Sequence, residues 1–214
     1  MIIGVETTDI VHSTKLDKAS FSLISDSIDD ELNDNREAFN YNFQRFRGDA
    51  YQVSYSAPEH TVRASLLTRL AVFTTLPDKS VLLTQSIIIG KQDVSDTMGE
   101  VFIASGRQLD KQKRAGYTVE FINSYITMAL PSQFLQTLLN GLTRKQADTL
   151  YWYIKLGFPE HQMIADKLKM SRQNVNTHLQ RANSELVKAF IDTYERNIQS
   201  LLHKNDEILK EDTK

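Results

Sequence analysis

Cysteine is absent from all 214 residues. That removes disulfides and every cysteine-ligated metal site, and it fits a reducing compartment. No apolar run approaches the ~18 residues that a membrane-spanning helix needs. The opening MIIGVETTDIVHS has no basic stretch and meets an acid at Glu6, so it does not read as a signal peptide. A soluble, cytoplasmic protein with no membrane partner is expected. Internal repeats and low-complexity tracts are also missing, as are a Walker A loop, GxGxxG and GxSxG. The five histidines (12, 60, 161, 178 and 203) show no HExxH or comparable metal spacing. A strong charge of either sign is lacking too, since the net charge is −2.

That small net charge conceals an asymmetry. Residues 1–140 carry 13 Lys+Arg and 17 Asp+Glu, a balance of −4. Residues 141–204 carry 10 and 6, a balance of +4, and the last ten carry 2 and 4. A mild basic excess confined to one part of a chain points toward nucleic-acid contact there.

The apolar pattern changes at about the same place. Ile2–Val5 predicts a strand, followed by a polar turn. Leu23, Ile24, Ile28 and Leu32 predict a helix within 19–39. Phe43 to Tyr55 alternates on either side of Gly48-Asp49, the pattern of a hairpin with a tight turn. A helix over 59–76 ends at Pro77-Asp78, and a strand over 81–89 is closed by Gly90. A helix over 98–114, basic in its last turn as the helix dipole favours, precedes a strand within 116–126. The order β-α-β-β-α-β-α-β is that of an α+β sandwich of ferredoxin-like type. Pro131 and Gly141 punctuate the passage to a segment that is helical throughout. The expected organisation is an α+β domain over 1–135 and an all-α domain over 141–205 ending in a long helix.

Within the second part, residues 142–190 read as a helix-turn-helix. Leu142–Leu156 is amphipathic, with Thr143 placed to cap it, and Gly157-Phe158-Pro159 stops it. Pro159 is suited to the first turn of the next helix, about 160–167. Ser171 is a good N-cap for a third helix, in which Val175 and Leu179 share one face. Two helices crossing steeply need a small residue at closest approach, which Ala165 supplies, while Met170 fills the turn. The remaining face presents Arg172, Gln173, Asn174, Asn176, Thr177, Gln180 and Arg181. Asn and Gln suit adenine edges, and Arg suits guanine edges or phosphates. Arg172, Gln173 and Asn176, near the helix start, are the expected base readers. Thr177, Arg181, Lys167 and Lys169 are expected at phosphates, beside Ser171. The competing reading is a three-helix packing module whose polar face is merely solvated. The stretch LTRKQADTLYWYIKLGFPEHQMIADKLKMSRQNVNTHLQRANSEL resembles the helix-turn-helix of sigma-factor region 4 and related bacterial regulators over about 45 residues, departing at Lys169, where the pattern often has glycine.

In the first part, Asp9 follows the first strand and Asp49 sits at the hairpin turn. In a ferredoxin-like sheet these elements lie side by side, so the two carboxylates can share a divalent cation of the hard, oxygen-preferring kind, Mg²⁺ or Mn²⁺. The alternatives are plain: Asp9 caps a turn, and Asp49 is ordinary hairpin chemistry. The segments DIVHST, RGDA, SIIIGKQDV and GEVFIASGRQLDKQK resemble class III nucleotide cyclases. They are also similar to the SatD family, which joins such a domain to a C-terminal helix-turn-helix. The resemblance implies a cyclase-like fold with Asp9, Asp49 and the Ile10 carbonyl as metal ligands. It puts Arg45 near the base-recognising position and Arg107 at the transition-state arginine. It also exposes a departure, since Ile103 stands where cyclases place a ribose-orienting asparagine. An apolar side chain cannot donate that hydrogen bond, so cyclase turnover is not the first expectation.

The stripe Leu186, Ala189, Phe190, Tyr194, Ile198, Leu201 is longer than a helix-turn-helix needs. It is expected to dock on the N-terminal domain or on a second copy. The expected function is a DNA-binding transcriptional regulator of bacterial or phage type, working on double-stranded DNA as a homodimer. Its cyclase-like domain would sense a ligand such as a nucleotide, or hold a protein partner. The rivals are a metal-dependent cyclase-like enzyme with an accessory DNA-binding module, and an adaptor that touches polymerase.

Overall fold

The computed structural model describes residues 1–46, 48–92 and 99–211, with the backbone alone for 206–211. The N-terminal half builds one five-stranded sheet in the order β2-β3-β1-β4-β5. Its strands are β1 (Ile2–Ile10), β2 (Tyr41–Phe46), β3 (Ala50–Tyr55), β4 (Leu83–Lys91) and β5 (Tyr117–Phe121). β1 pairs antiparallel with both β3 and β4, and β2 pairs antiparallel with β3. Between them run α1 (Lys18–Asp34), the short α2 (Arg36–Phe39) and α3 (Thr61–Thr75). This β-α-β-β-α-β unit is the ferredoxin-like arrangement the sequence predicts. α4 (Glu100–Lys111) then crosses over and adds β5 parallel to β4. The segment Asp93–Val94, at the end of the SIIIGKQDV match, lies outside the described residues.

Burial follows position in the sheet. β1 and β4, in the middle, are buried along nearly their whole length. β2 and β3 alternate between buried and more open positions, the pattern of strands covered on one face only. α4 packs Val101, Phe102 and Ala104 on Ile3, Val5 and Ile88 of one sheet face. α3 covers the other, and it comes close: a Cβ on Gly4 would stand 2.3 Å from Thr61 Oγ1. Eleven of the fifteen α3 residues are buried. A helix buried on all sides needs a second layer above it.

The C-terminal helices supply that layer. They are α5 (Ala129–Asn140), α6 (Arg144–Lys155), α7 (His161–Leu168), α8 (Arg172–Arg181) and α9 (Ser184–Glu211). α5 occupies the interval that the sequence marked only by Pro131 and Gly141. Pro131 falls in its first turn, where a missing N–H costs nothing. α5 also closes the sheet edge. Backbone N–H groups of Tyr117 and Val119 on β5 donate to Gln136 Oε1 and Ser132 Oγ, at 3.1 and 3.2 Å. An edge satisfied by side chains offers no template for another strand.

One hydrophobic cluster runs from Leu66, Ile87 and Tyr117 in the α+β part to Leu150, Val175 and Ile198 in the helical part. Polar contacts reinforce it. Tyr151 OH and Lys155 Nζ of α6 both donate to Glu31 of α1, at 2.6 and 3.0 Å. Tyr194 OH of α9 donates to the Pro58 carbonyl at 2.6 Å, and Arg63 pairs with Glu195 at 2.9 Å. Arg144 donates to the carbonyls of Thr74 and Leu76. The long apolar stripe of α9 therefore docks within the chain: Phe190, Tyr194 and Ile198 are buried, while Leu186 stays exposed. No helix among the described residues is long and apolar enough to cross a membrane.

Under α3 lies a polar network that the sequence pattern did not announce. Glu6 is fully buried and accepts from Thr8 Oγ1, Tyr55 OH and Gln85 Nε2 at 2.7–2.9 Å. Gln85 Oε1 in turn accepts from Arg69, also buried, which donates to Asn140 of α5 and to the carbonyls of Leu83 and Ala115. Burial raises the Glu6 carboxyl above its ordinary range, only partly offset by these donors. It lowers Arg69 to about 10.

Candidate functional site

Two surfaces carry the chemistry. The first is at the end of β1. Asp9 faces Ala50 of β3 in the ladder, which brings it beside the β2–β3 turn that holds Asp49. Gly48 sits at φ +80, a backbone state open to glycine, and lets the turn close this tightly. The Ile10 N–H donates to the Asp49 carbonyl at 3.1 Å, and Ser13 Oγ donates to Asp49 Oδ2 at 2.7 Å. The fold therefore brings Asp9, Ile10 and Asp49 together. Burial, and then the negative charge of Asp49, raise the Asp9 carboxyl above its ordinary value. A like-charge pair of this kind is relieved by a bound cation.

Beyond it, Lys15 of the following turn and Arg114, from the segment after α4, place positive charge around His12. Exposed His12 is held at φ 62. Its ring is pushed below its usual pKa by desolvation and by the charges of Arg114 and Lys15. Two carboxylates with a cationic loop beside them suit a divalent ion carrying phosphate oxygens. Among the described residues no three His, Cys, Asp or Glu side chains converge on one point. The remaining ligands of a cation here would be a backbone carbonyl, water and the bound anion, which is how Mg²⁺ is usually held. Ser13, which lies in the DIVHST segment, joins the site through its bond to Asp49, while Lys15 and Arg114, which no motif set apart, stand near His12.

Arg45 and Arg107 lie elsewhere. Arg45 turns onto α1, donating to Asp29 and to the Ser25 carbonyl, each at 2.8 Å. Arg107 shares a surface cavity of 470 Å³ with Ile103, Gln108 and Glu120, on the α4–β5 side of the sheet. Asp9 and Asp49 do not line that cavity. Ile103 is 44% exposed there.

The second surface is built by α6, α7 and α8. Thr143 caps α6 in a reciprocal box with Gln146. α7 begins after Glu160, so Pro159 stands one position outside the cap rather than in the first turn. α7 ends on Lys169, at φ 52, and Ser171 caps α8 by accepting from the Asn174 N–H. Lys169 thus adopts the left-handed state for which the related pattern often uses glycine, at a modest cost for a residue with a Cβ. Ile164, Ala165, Val175 and Leu179 are buried, so the inward faces of α7 and α8 are packed. On the outward side Arg172, Gln173, Asn174, Asn176, Gln180 and Arg181 are exposed, and Thr177 is half-buried with its hydroxyl donating to the Gln173 carbonyl. Lys167 is held 4.2 Å over the Trp152 ring, which fixes its ammonium on this face. Among the described residues, none of Lys167, Lys169, Arg172 and Arg181 is in an ion pair.

No protein-family model and no curated protein matches the chain. Among solved structures it is similar to the catalytic core of a rhodopsin-guanylyl cyclase with converted specificity in complex with ATPalphaS. That match has 16% identity and a TM-score of 0.44, over 56% of this chain and 76% of that one. The guanylyl cyclase Cya2 matches at 15% identity and TM-score 0.41, over 53% and 72%. The adenylyl cyclase CyaB from P. aeruginosa matches at 14% and 0.39, over 53% and 74%. At such values the likeness is one of outline, and the fold is defined by the strand order described above.

Proposed function

We propose that this chain is a DNA-binding regulator of bacterial or phage type. In this reading α8 is the recognition helix, and the cyclase-like α+β domain binds a phosphate-bearing ligand, such as a nucleotide, through Mg²⁺ or Mn²⁺ at Asp9 and Asp49. The observation that carries it is the division of α8 and its surroundings. The inward face is packed, whereas the outward face holds amides that suit base edges, and the four cations there are in no ion pair among the described residues. Arg172, Gln173 and Asn176 would read bases, with Asn174 and Gln180 beside them, while Lys167, Lys169, Ser171, Thr177 and Arg181 would touch the backbone. Two copies would place two such helices on two half-sites. This is the arrangement of SatD-like proteins, with a sigma region 4-like reader at the C-terminal end.

The test is selection of binding sites from random duplex DNA, followed by fluorescence anisotropy at several salt concentrations. Enrichment of one motif, with affinity falling steeply with salt, is expected. Equal binding of all duplexes, or none, would reject the reading.

A second reading is favoured by one observation, the Asp9–Asp49 pair. It makes the α+β domain a cation-dependent enzyme acting on ATP or GTP. The metal would supply charge stabilisation for a phosphoryl centre, and the chain would supply the carboxylates and the cationic loop. Ile103 argues against cyclisation in particular. Mn²⁺-dependent product formation that is lost in Asp49→Ala would establish turnover, and its absence with the intact protein would dismiss it.

A further inference from the structure

At the other end of β1 from Asp9 lies a cavity of 740 Å³, between the sheet and the far part of α9. Ile2 and Asp9 are seven positions apart, about 23 Å along a strand, so this is not the carboxylate site. We propose that the cavity binds a small organic anion with an apolar body.

Its walls make the case. Ile2, Ile122 and Leu201 form an apolar floor. Gly90 belongs to that floor, where a Cβ would come within 2.4 Å of Ile122. Among the described residues the rim is polar and of one sign. Lys91 and Lys204 stand on it, and no acidic side chain lines the cavity among the described residues. Neither lysine is in an ion pair among the described residues. Tyr125, also on the rim, is 77% exposed, and the Lys204 ammonium sits 5.0 Å from its ring centre. A large aromatic in water is ordinarily unfavourable, and here it holds a cation at the mouth of an apolar hollow. Asn123 and Ser124 add hydrogen-bonding groups. Volume, apolar floor and a few converging polar groups are the ordinary features of a small-molecule pocket. The lysines select against cations, and the floor against fully hydrated ions such as inorganic phosphate.

The probe is 1-anilinonaphthalene-8-sulfonate, an aromatic body bearing one anionic group. Its uncharged counterpart, N-phenyl-1-naphthylamine, is the control. Fluorescence titration of the full chain is expected to give saturable one-to-one binding of the sulfonate, at least about tenfold tighter than the amine. The double variant Lys91→Glu/Lys204→Glu, at two exposed positions, should weaken the sulfonate at least about tenfold and leave the amine unchanged. Leu201→Trp, which fills the floor, should weaken both. Phe134→Ser, in the separate apolar groove between α5 and α9, should change neither. The proposal is overturned if the charge reversal leaves sulfonate binding intact, if Phe134→Ser abolishes it, or if no saturable binding occurs. Because both lysines are exposed, the charge reversal decides the matter even if Leu201→Trp fails to fold.

Discussion

At the end of β1 two half-buried acids are brought near one another, and one of them, Asp9, has its carboxyl raised above the usual range by burial and by its neighbour. On α8 the cations stand apart in solvent and cost the fold little. The first arrangement is of the kind that a bound cation relieves, which makes it a candidate site. The second is cheap, and any solvated helix can look like it. The packed side of α7 and α8 and the caps at Thr143 and Ser171 establish only the helical outline, so the proposed DNA reading rests on the outward face and on its test. α6 and α8 share one cluster with α3, so the helical layer and the sheet are joined, whereas Ile10 and Tyr51 beside the carboxylates belong to a second cluster.

The largest expected effect tests that junction. Leu150 of α6 is fully buried in the cluster shared with α3. Leu150→Ala should cost about 2–5 kcal/mol and lower one common melting transition, followed by both near-UV circular dichroism and Tyr/Trp fluorescence. Two separate transitions, with only one displaced, would show that the halves melt independently. Next comes the proposed DNA face. Arg172→Ala should weaken binding to the selected site by about 1–3 kcal/mol while changing affinity for random duplex far less. Lys169→Ala should weaken both equally and flatten the salt dependence. Equal losses for both variants on both DNAs would make Arg172 a phosphate contact.

The carboxylate pair should respond to its own ion. Asp49→Asn should weaken Mn²⁺ binding, read by isothermal titration, at least about tenfold, since losing even a supporting partner of a metal ligand typically costs that much. A protonated carboxyl does not ligate, so Mn²⁺ affinity should rise with pH until Asp9, with its raised pKa, is ionised. Affinity that is flat across the acidic range would mean that Asp9 is not a ligand.

Much of this was legible before any coordinates, and unevenly so. The helix ends around 143–171 are written in residues that act locally, Thr143, Gly157 and Ser171, so their positions could be read directly. The order of strands and helices along the chain followed from the alternation around Gly48-Asp49 and the apolar runs, and topology leaves few ways to arrange them. α5 was missed because Pro131 looks like punctuation, although it sits where a helix accepts it. The destination of Arg45 was not legible, since its partner Asp29 lies on another element. The charged loop at Lys15 and Arg114 was hidden for the same reason, with nearly a hundred residues between its members.

Glu6 is the sharpest case, and it gives the smallest expected effect. In the sequence it served only to argue against a signal peptide. In the fold it is a buried carboxyl among Tyr51, Tyr55, Thr8 and Gln85, with Arg69 beyond. Its folded-state pKa is raised above the ordinary 4.5. Below that value both states hold the proton and its contribution to stability is fully present. As pH rises, the unfolded chain releases the proton first, and stability falls by at most about 1.4 kcal/mol per pH unit until the folded pKa is passed. Asp9 and Asp148 are raised in the same direction, so the raw pH profile does not isolate Glu6. The difference between the native chain and Glu6→Gln does. Glutamine loses some of the hydrogen bonding, an offset that is constant with pH, while the slope above pH 4.5 vanishes. Chemical denaturation at half-unit steps reads that difference curve. A flat difference would mean that the four donors hold Glu6 ionised despite its burial.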